Sequence, residues 1–253
     1  MFGARVISVL LAAILLFPML AASAPDPAPG IAPQMDFVPN AAGTYQLQRI
    51  QQCPDAVLLN ASAGARRLSA YTRGKVTLLT FFYTYCTDPW GCPFAYQTMK
   101  TLRDRIATDT FSRARVRFVS ISFDPSHDTP DALRGYAQSV GAAPGFEWQF
   151  FTARSMAELS PLLDGFGQDV RIETDASGRP TRAINHMLKL FLIDAGGVVR
   201  EIYSLAFVHP QVMLNDIQTL LMESESVRSG IEAGLACSLA GRACEQRLYQ
   251  VHR

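Results

Sequence analysis

Val76-Thr-Leu-Leu-Thr-Phe-Phe-Tyr83-Thr-Tyr-Cys86-Thr-Asp-Pro-Trp-Gly-Cys92-Pro93 is the stretch on which the fold turns. Its first eight residues are β-branched, aliphatic or aromatic and carry no charge, the pattern of a strand buried on both faces. From Cys92 to Ala107 apolar residues recur at helical spacing, with Lys100, Arg103, Asp104 and Arg105 on the polar side. Pro93 suits the first turn of that helix, where its missing N–H is not needed. Two cysteines therefore fall on the turn between a buried strand and a helix N-terminus. Unpaired amides and the helix dipole favour negative charge there. A thiol so placed ionises more readily and becomes a better nucleophile and metal ligand. The five residues between Cys86 and Cys92 allow a disulfide, or let both sulfurs reach one ion. A purely structural Cys86–Cys92 disulfide pinning the loop is the plain alternative.

Reading outward, Val116 to Ser122 is a second strand, and Asp128-Thr129-Pro130-Asp131 marks a helix start. Glu147 to Phe151 is a short strand and Ser155 to Phe166 a helix capped by Ser155. Gly167 to Ile184 reads as a polar loop or exposed hairpin. Leu188 to Ile193 and Val198 to Tyr203 are strands joined by Asp194-Ala-Gly-Gly197, a strong hairpin signal. Pro210 to Met222 gives a last helix, and alternation in Thr44 to Leu59 suggests a hairpin ahead of the main fold. This order predicts an α/β, thioredoxin-like domain over residues 43–223. Its mixed sheet would be flanked by helices, with an N-terminal hairpin and a C-terminal helical tail, residues 224–253.

The ends of the chain differ in character from this domain. Arg5, the apolar run Val6 to Leu20 and the small residues Ala21 to Ala24 describe a signal peptide over residues 1–24. Because the run approaches the roughly 17 residues a membrane helix needs, a retained anchor is the alternative. Either way the domain is expected outside the cytoplasm, in the periplasm or on the outer face of a membrane. Residues 25–42 form a Pro-rich linker. A formal charge of +1 without a basic stripe argues against nucleic acid as a partner. Five cysteines are too few for a disulfide scaffold of this size, and the odd count leaves one over. In the tail, Cys237 and Cys244 flank Gly241 and suggest a structural disulfide once the glycine breaks the helix. Cys53 is free or takes a partner from the tail.

His186 opens the way to a metal. A single His at a strand start is more often structural than a ligand. In a thioredoxin-like topology, however, the loop before this late strand lies beside the cysteine turn. Two soft sulfurs and an imidazole suit copper, Cu(I) above all; zinc would want a fourth ligand. Asp124-Pro125 ends a strand at the same end of the sheet, so Asp124 either orients the site's loop or only forms the turn. His127 and His209 read as exposed loop residues, and Tyr83 and Tyr85 as packing around the turn.

Phe82-Tyr-Thr-Tyr-Cys86, Cys92-Pro93, Val119-Ser-Ile-Ser-Phe-Asp124-Pro125, Asp128-Thr129-Pro130 and His186 with its strand occur in the order seen in the Sco/SenC family, which this chain resembles over roughly residues 43–222. The resemblance implies a thioredoxin-like protein, tethered to a membrane and facing its outer side. It further implies copper bound by Cys86, Cys92 and His186, and a role in assembling the CuA centre of cytochrome c oxidase, a respiratory oxidase subunit being the partner. Some members are described as thiol–disulfide reductants, which suits the Cys86/Cys92 pair equally. This chain departs from the family in its turn, which holds five residues between the cysteines instead of three. A disulfide tolerates that longer loop.

Overall fold

The computed structural model describes residues 37–240, with side chains described to residue 231. The signal or anchor, most of the linker, Cys244 and the side chain of Cys237 lie outside what is described, so the pairing of Cys237 with Cys244 does too. In chain order the strands are β1 (Gln51–Gln52), β2 (Val57–Asn60), β3 (Ala65–Arg67), β4 (Val76–Phe82), β5 (Val116–Ser122), β6 (Glu147–Thr152), β7 (Val170–Thr174), β8 (Pro180–His186), β9 (Lys189–Ile193) and β10 (Val198–Ser204). The helices are α1 (Cys92–Ala107), α2 (Thr110–Arg115), α3 (Pro130–Val140), α4 (Met156–Gly165) and α5 (Pro210–Ala240).

Eight strands form one sheet in the order β1-β10-β9-β4-β5-β6-β2-β3, and β7 pairs with β8 in a separate hairpin. The centre is parallel, β4 on β5 and β5 on β6, while β9 joins β4 antiparallel. β4 and β5 are buried along their whole length, as uncharged runs in the middle of a two-faced sheet must be. Alternate side chains of β4 feed two cores. Val76 and Leu78 pack with Phe94, Met99 and Leu102 of α1 and Met213 and Ile217 of α5. Leu79 and Phe81 pack with Leu133 of α3 and Leu159 and Leu162 of α4. Trimming Leu78 or Leu79 to Ala would leave a hole on one face, at a cost of about 2–5 kcal/mol.

The capping residues act as the sequence reading expects. The Thr129 hydroxyl accepts from the Ala132 amide ahead of Pro130, and the Ser155 hydroxyl accepts from the Glu158 amide. In the Asp194–Gly197 turn the Asp194 carboxylate accepts from the Gly196 and Val198 amides. Gly197 sits at φ 84°, where a side chain would be strained.

Two elements differ in placement. The N-terminal hairpin is β2–β3, later than Thr44–Leu59, and it joins the sheet through β6. β1 lies instead at the opposite edge, on β10. The helix begun at Pro210 does not stop near Met222; it runs on to Ala240. No helix among the described residues is long and apolar enough to cross a membrane.

All of this directs three segments to one end of the sheet. The parallel strands β4 and β5 release the Cys86 loop and the Asp124 loop there. β9, running the other way, begins there, so the end of β8 that precedes it carries His186 to the same place.

Candidate metal and thiol site

The cysteine loop leaves β4 as a tight turn and enters α1 through Gly91. The Cys86 amide donates to the Tyr83 carbonyl at 3.3 Å, and the Gly91 amide to the Asp88 carbonyl at 3.0 Å. Gly91 is a close fit, since a Cβ there would stand 3.4 Å from the Cys86 sulfur. Trp90, in the extra length of the loop, is half exposed and leans toward Phe94.

A buried carboxylate clamps the start of this loop. Asp128 accepts from the Thr84 amide at 3.0 Å, the Thr84 hydroxyl at 2.5 Å and the Ser122 hydroxyl at 2.5 Å, with no exposure to solvent. Each such bond to a charged acceptor stabilises by about 1.5–3 kcal/mol, and the three together offset the burial of the charge. The sequence reading took Asp128 only as part of a helix start. Its role at the clamp depends on two residues far away in the chain.

Asp124 makes the second fixing point. Its carboxylate accepts from the Tyr85 hydroxyl and the Ser126 hydroxyl, and pairs with His127 Nδ1 at 2.7 Å. Burial alone would raise the Asp124 carboxyl, but hydrogen bonds from Ser126, Tyr85 and His127 outweigh it and hold the group below its ordinary value. Asp124 therefore fixes the residue beside Cys86, the loop-fixing alternative of the sequence reading. The guanidinium of Arg182 lies over the Tyr85 ring at 4.8 Å, so strand β8 leans across the same loop.

Cys86 and Cys92 are both free thiols. The neighbouring Cys92 thiol first, then the Tyr83 hydroxyl and the amides of Cys92 and Asp88, lower the Cys86 thiol from 9.0 to about 5 against the opposing effect of partial burial. Cys92 moves the other way, because of the neighbouring Cys86 sulfur and its own burial. The two thiols are thus shifted apart, with Cys86 the one favoured in its ionised form.

His186 closes β8 with its ring packed on Phe123, centroids 4.6 Å apart, and set edge-on to Tyr83 at 6.1 Å. Its Nδ1 lies 3.0 Å from the Ile184 carbonyl oxygen, which can only accept, so the proton sits on Nδ1. Nε2 is then a bare lone pair, and it is buried with no hydrogen-bond partner. Orphaned buried polar atoms are uncommon and call for an explanation. A nitrogen in this state suits a metal, and with two thiols it makes a soft donor set matched to cuprous copper.

His186 is brought to the cysteine end, yet it does not touch the sulfurs. Among the described residues no group of three or more His, Cys, Asp or Glu side chains is gathered tightly enough to hold a metal ion. The Tyr83 ring is set edge-on to His186 and packs on Tyr85 and Phe123, the packing role read from the sequence.

The family model described as SCO1/SenC matches residues 56–222, two thirds of the chain. The chain belongs to the SCO1/SenC family. Solved Sco structures share its fold at low identity. Arabidopsis thaliana ScoI with copper bound is 18% identical, with a TM-score of 0.56, covering 67% of this chain and 98% of that one. Bradyrhizobium japonicum ScoI with copper bound is 22% identical, with a TM-score of 0.53, covering 66% and 98%. BsSco, described as having a disulfide switch and as a member of the Sco family of cytochrome c oxidase assembly proteins, is 20% identical, with a TM-score of 0.53, covering 70% and 98%. No curated protein matches the chain significantly. In this SCO1/SenC chain the sheet is the thioredoxin-like platform of the family, and the cysteine turn, the Asp124 loop and the end of β8 occupy one end of it.

Proposed function

We propose that this SCO1/SenC protein is an exported copper carrier for the assembly of a respiratory oxidase centre of the CuA type. Cys86 and Cys92 would bind the ion as thiolates and His186 through Nε2. The observation that carries the reading is the buried, unpartnered Nε2 lone pair at the same end of the sheet as a paired thiol set. Copper in the Arabidopsis and Bradyrhizobium relatives, and the oxidase-assembly role printed for BsSco, support it. Copper is here the cargo. The chain's own work is to present Cys86 ionised, to keep Nδ1 of His186 protonated so that Nε2 is free, and to hold the cysteine loop through Asp128 and Asp124. His186 and the sulfurs must close on each other for all three to share one ion.

The test is the copper content of reduced protein, wild type beside His186→Ala. One copper per chain in the wild type, with a fall of at least tenfold in affinity in the variant, is expected. Undiminished affinity in His186→Ala removes the histidine from the site. For export, the protein should fractionate outside the cytoplasm and lose that location when residues 1–24 are deleted.

A second reading has its own observation. The ionised Cys86 beside a protonated Cys92 is the arrangement of a dithiol reductant. Cys86 would attack a partner disulfide and release one partner thiolate. Cys92 would then give up its proton and displace the second, leaving Cys86–Cys92 oxidised and the partner reduced by two electrons. Stable mixed disulfides trapped by Cys92→Ser, with no copper bound by the wild type, would favour this reading over the first.

A further inference from the structure

The strand that carries His186 has little to hold it in place. β7 and β8 form a two-stranded sheet apart from the large one, with most of their side chains facing solvent. Such a hairpin is marginal by itself. His186 pairs across it with Val170, so the imidazole is placed at the base of the hairpin. The next residue gives no anchor through its side chain, since Met187 is 62% exposed. Its carbonyl is held instead. The side-chain amide of Gln168, a residue only 3% exposed, donates to the Met187 oxygen at 3.0 Å. Gln168 is in turn fastened to the frame of the domain. Its backbone amide donates to the Leu163 carbonyl in the last turn of α4 at 2.8 Å. Phe166, two residues earlier, packs on Phe81 of β4 and Phe191 of β9 at 5.3 and 4.7 Å between ring centroids. β4 is the strand that releases the cysteine loop.

We infer that Gln168 is a positioning residue for His186, its buried amide pinning the end of β8 to the frame that also carries the cysteine loop. Apolar packing of the imidazole on Phe123 is non-directional, whereas a hydrogen bond to the adjoining carbonyl fixes the backbone behind the ring. A second link closes the base from the other side, Lys189 Nζ donating to the Gly167 carbonyl at 2.6 Å. That link is exposed, where water competes for both groups. The Gln168 bond is sheltered from water, and losing it leaves a carbonyl without its partner. A residue that only filled space at 168 could be apolar; an amide is required because the atom it meets is an acceptor. The site role of Gln168 rests on the copper reading above, whereas its hold on His186 is a property of the metal-free chain.

The test is acylation of His186 by diethyl pyrocarbonate in reduced, metal-free protein, read by mass spectrometry with the exposed His127 as internal reference. Nε2 of His186 is buried, so the wild type should react slowly there. Gln168→Met keeps the length of the side chain and removes the donor. It is expected to speed acylation of His186 about five- to tenfold, the worth of one net hydrogen bond, and to leave His127 unchanged. Gln168→Asn keeps an amide one methylene too short and should act in the same direction, which decides the matter if the Met variant does not fold. Ile217→Val, a small packing loss in the other core, should leave the His186 rate at the wild-type value. An unmoved rate in the Gln168 variants overturns the inference, as does an equal rise in Ile217→Val. So does undiminished copper affinity in Gln168→Met when the wild type binds copper; a fall of about fivefold is expected. Failure of the copper reading shows separately, as wild-type protein that binds no copper while acylation of His186 still answers to Gln168.

Discussion

Two cysteines at opposite ends of the central sheet have opposite chemistry. Cys86 follows the C-terminal end of β4 and its thiol is lowered to about 5. Cys53 lies at the other end, its amide on the Gly197 carbonyl at 2.9 Å, beside an open cavity of about 420 Å³. Burial pushes the Cys53 thiol up to about 12, against a hydrogen bond from Thr72 and the nearby charge of Arg73. Cys86 also loses solvent, yet its ionised form is favoured because the neighbouring Cys92, Tyr83 and loop amides outweigh that loss. Cys53 has too few such neighbours to offset its burial, and no disulfide partner among the described residues. The balance between burial and neighbouring groups thus runs in opposite directions at the two thiols.

The largest effect should appear in alkylation at pH 7. Cys86 is almost wholly ionised there, and Cys53 in roughly one molecule in 10⁵. Since intrinsic nucleophilicity falls with pKa, the rate ratio should be smaller, about a thousandfold or more. Mass spectrometry of briefly treated protein gives the ratio, and comparable labelling of the two breaks the comparison.

Next is Asp128→Ala, which removes the clamp from the Cys86 end only. Urea unfolding should show a loss of about 3–5 kcal/mol, the cost of stripping a buried, fully bonded charge from its partners. A loss under 1 kcal/mol would mean the loop is held by other contacts.

The pH dependence sharpens the contrast further. A thiol lowered by folding contributes stability above its unfolded value, and that contribution is lost as pH falls through about 5. Reactivity of Cys86 should accordingly stay flat from pH 8 to 6 and fall near 5. Cys92→Ala removes the leading donor, so the midpoint should rise toward that of an ordinary thiol. An unmoved midpoint would assign the effect to the helix N-terminus instead.

The smallest effect belongs to Cys53→Ser, expected to change stability by about 1 kcal/mol or less and to leave the Cys86 profile untouched. Any shift in that profile would show the two ends to be connected.

The legible parts of this molecule are those written locally. β4 announces itself by eight uncharged residues, α1 starts at the cysteine before Pro93, and the Thr129 and Ser155 caps and the Asp194–Gly197 turn each sit in their own segments. That the segments bearing Cys86, Cys92 and His186 meet at one end was legible because topology alone places them there. The rest depends on pairings between distant segments. Nothing near Gln51 says that it will pair with Val199, or that β2 will find β6. The clamp of Asp128 depends on Thr84 and Ser122, so its role could not be read from a neighbouring residue.

The dry nitrogen of His186 has one more consequence. An imidazole already stripped of water offers nothing to an ion that insists on keeping its own shell. Magnesium and calcium, which prefer oxygen ligands and retain water, would find there a dehydrated nitrogen walled by Phe123 and Tyr83. In the proposed copper site such a nitrogen would disfavour these hard cations before any competition of affinities begins.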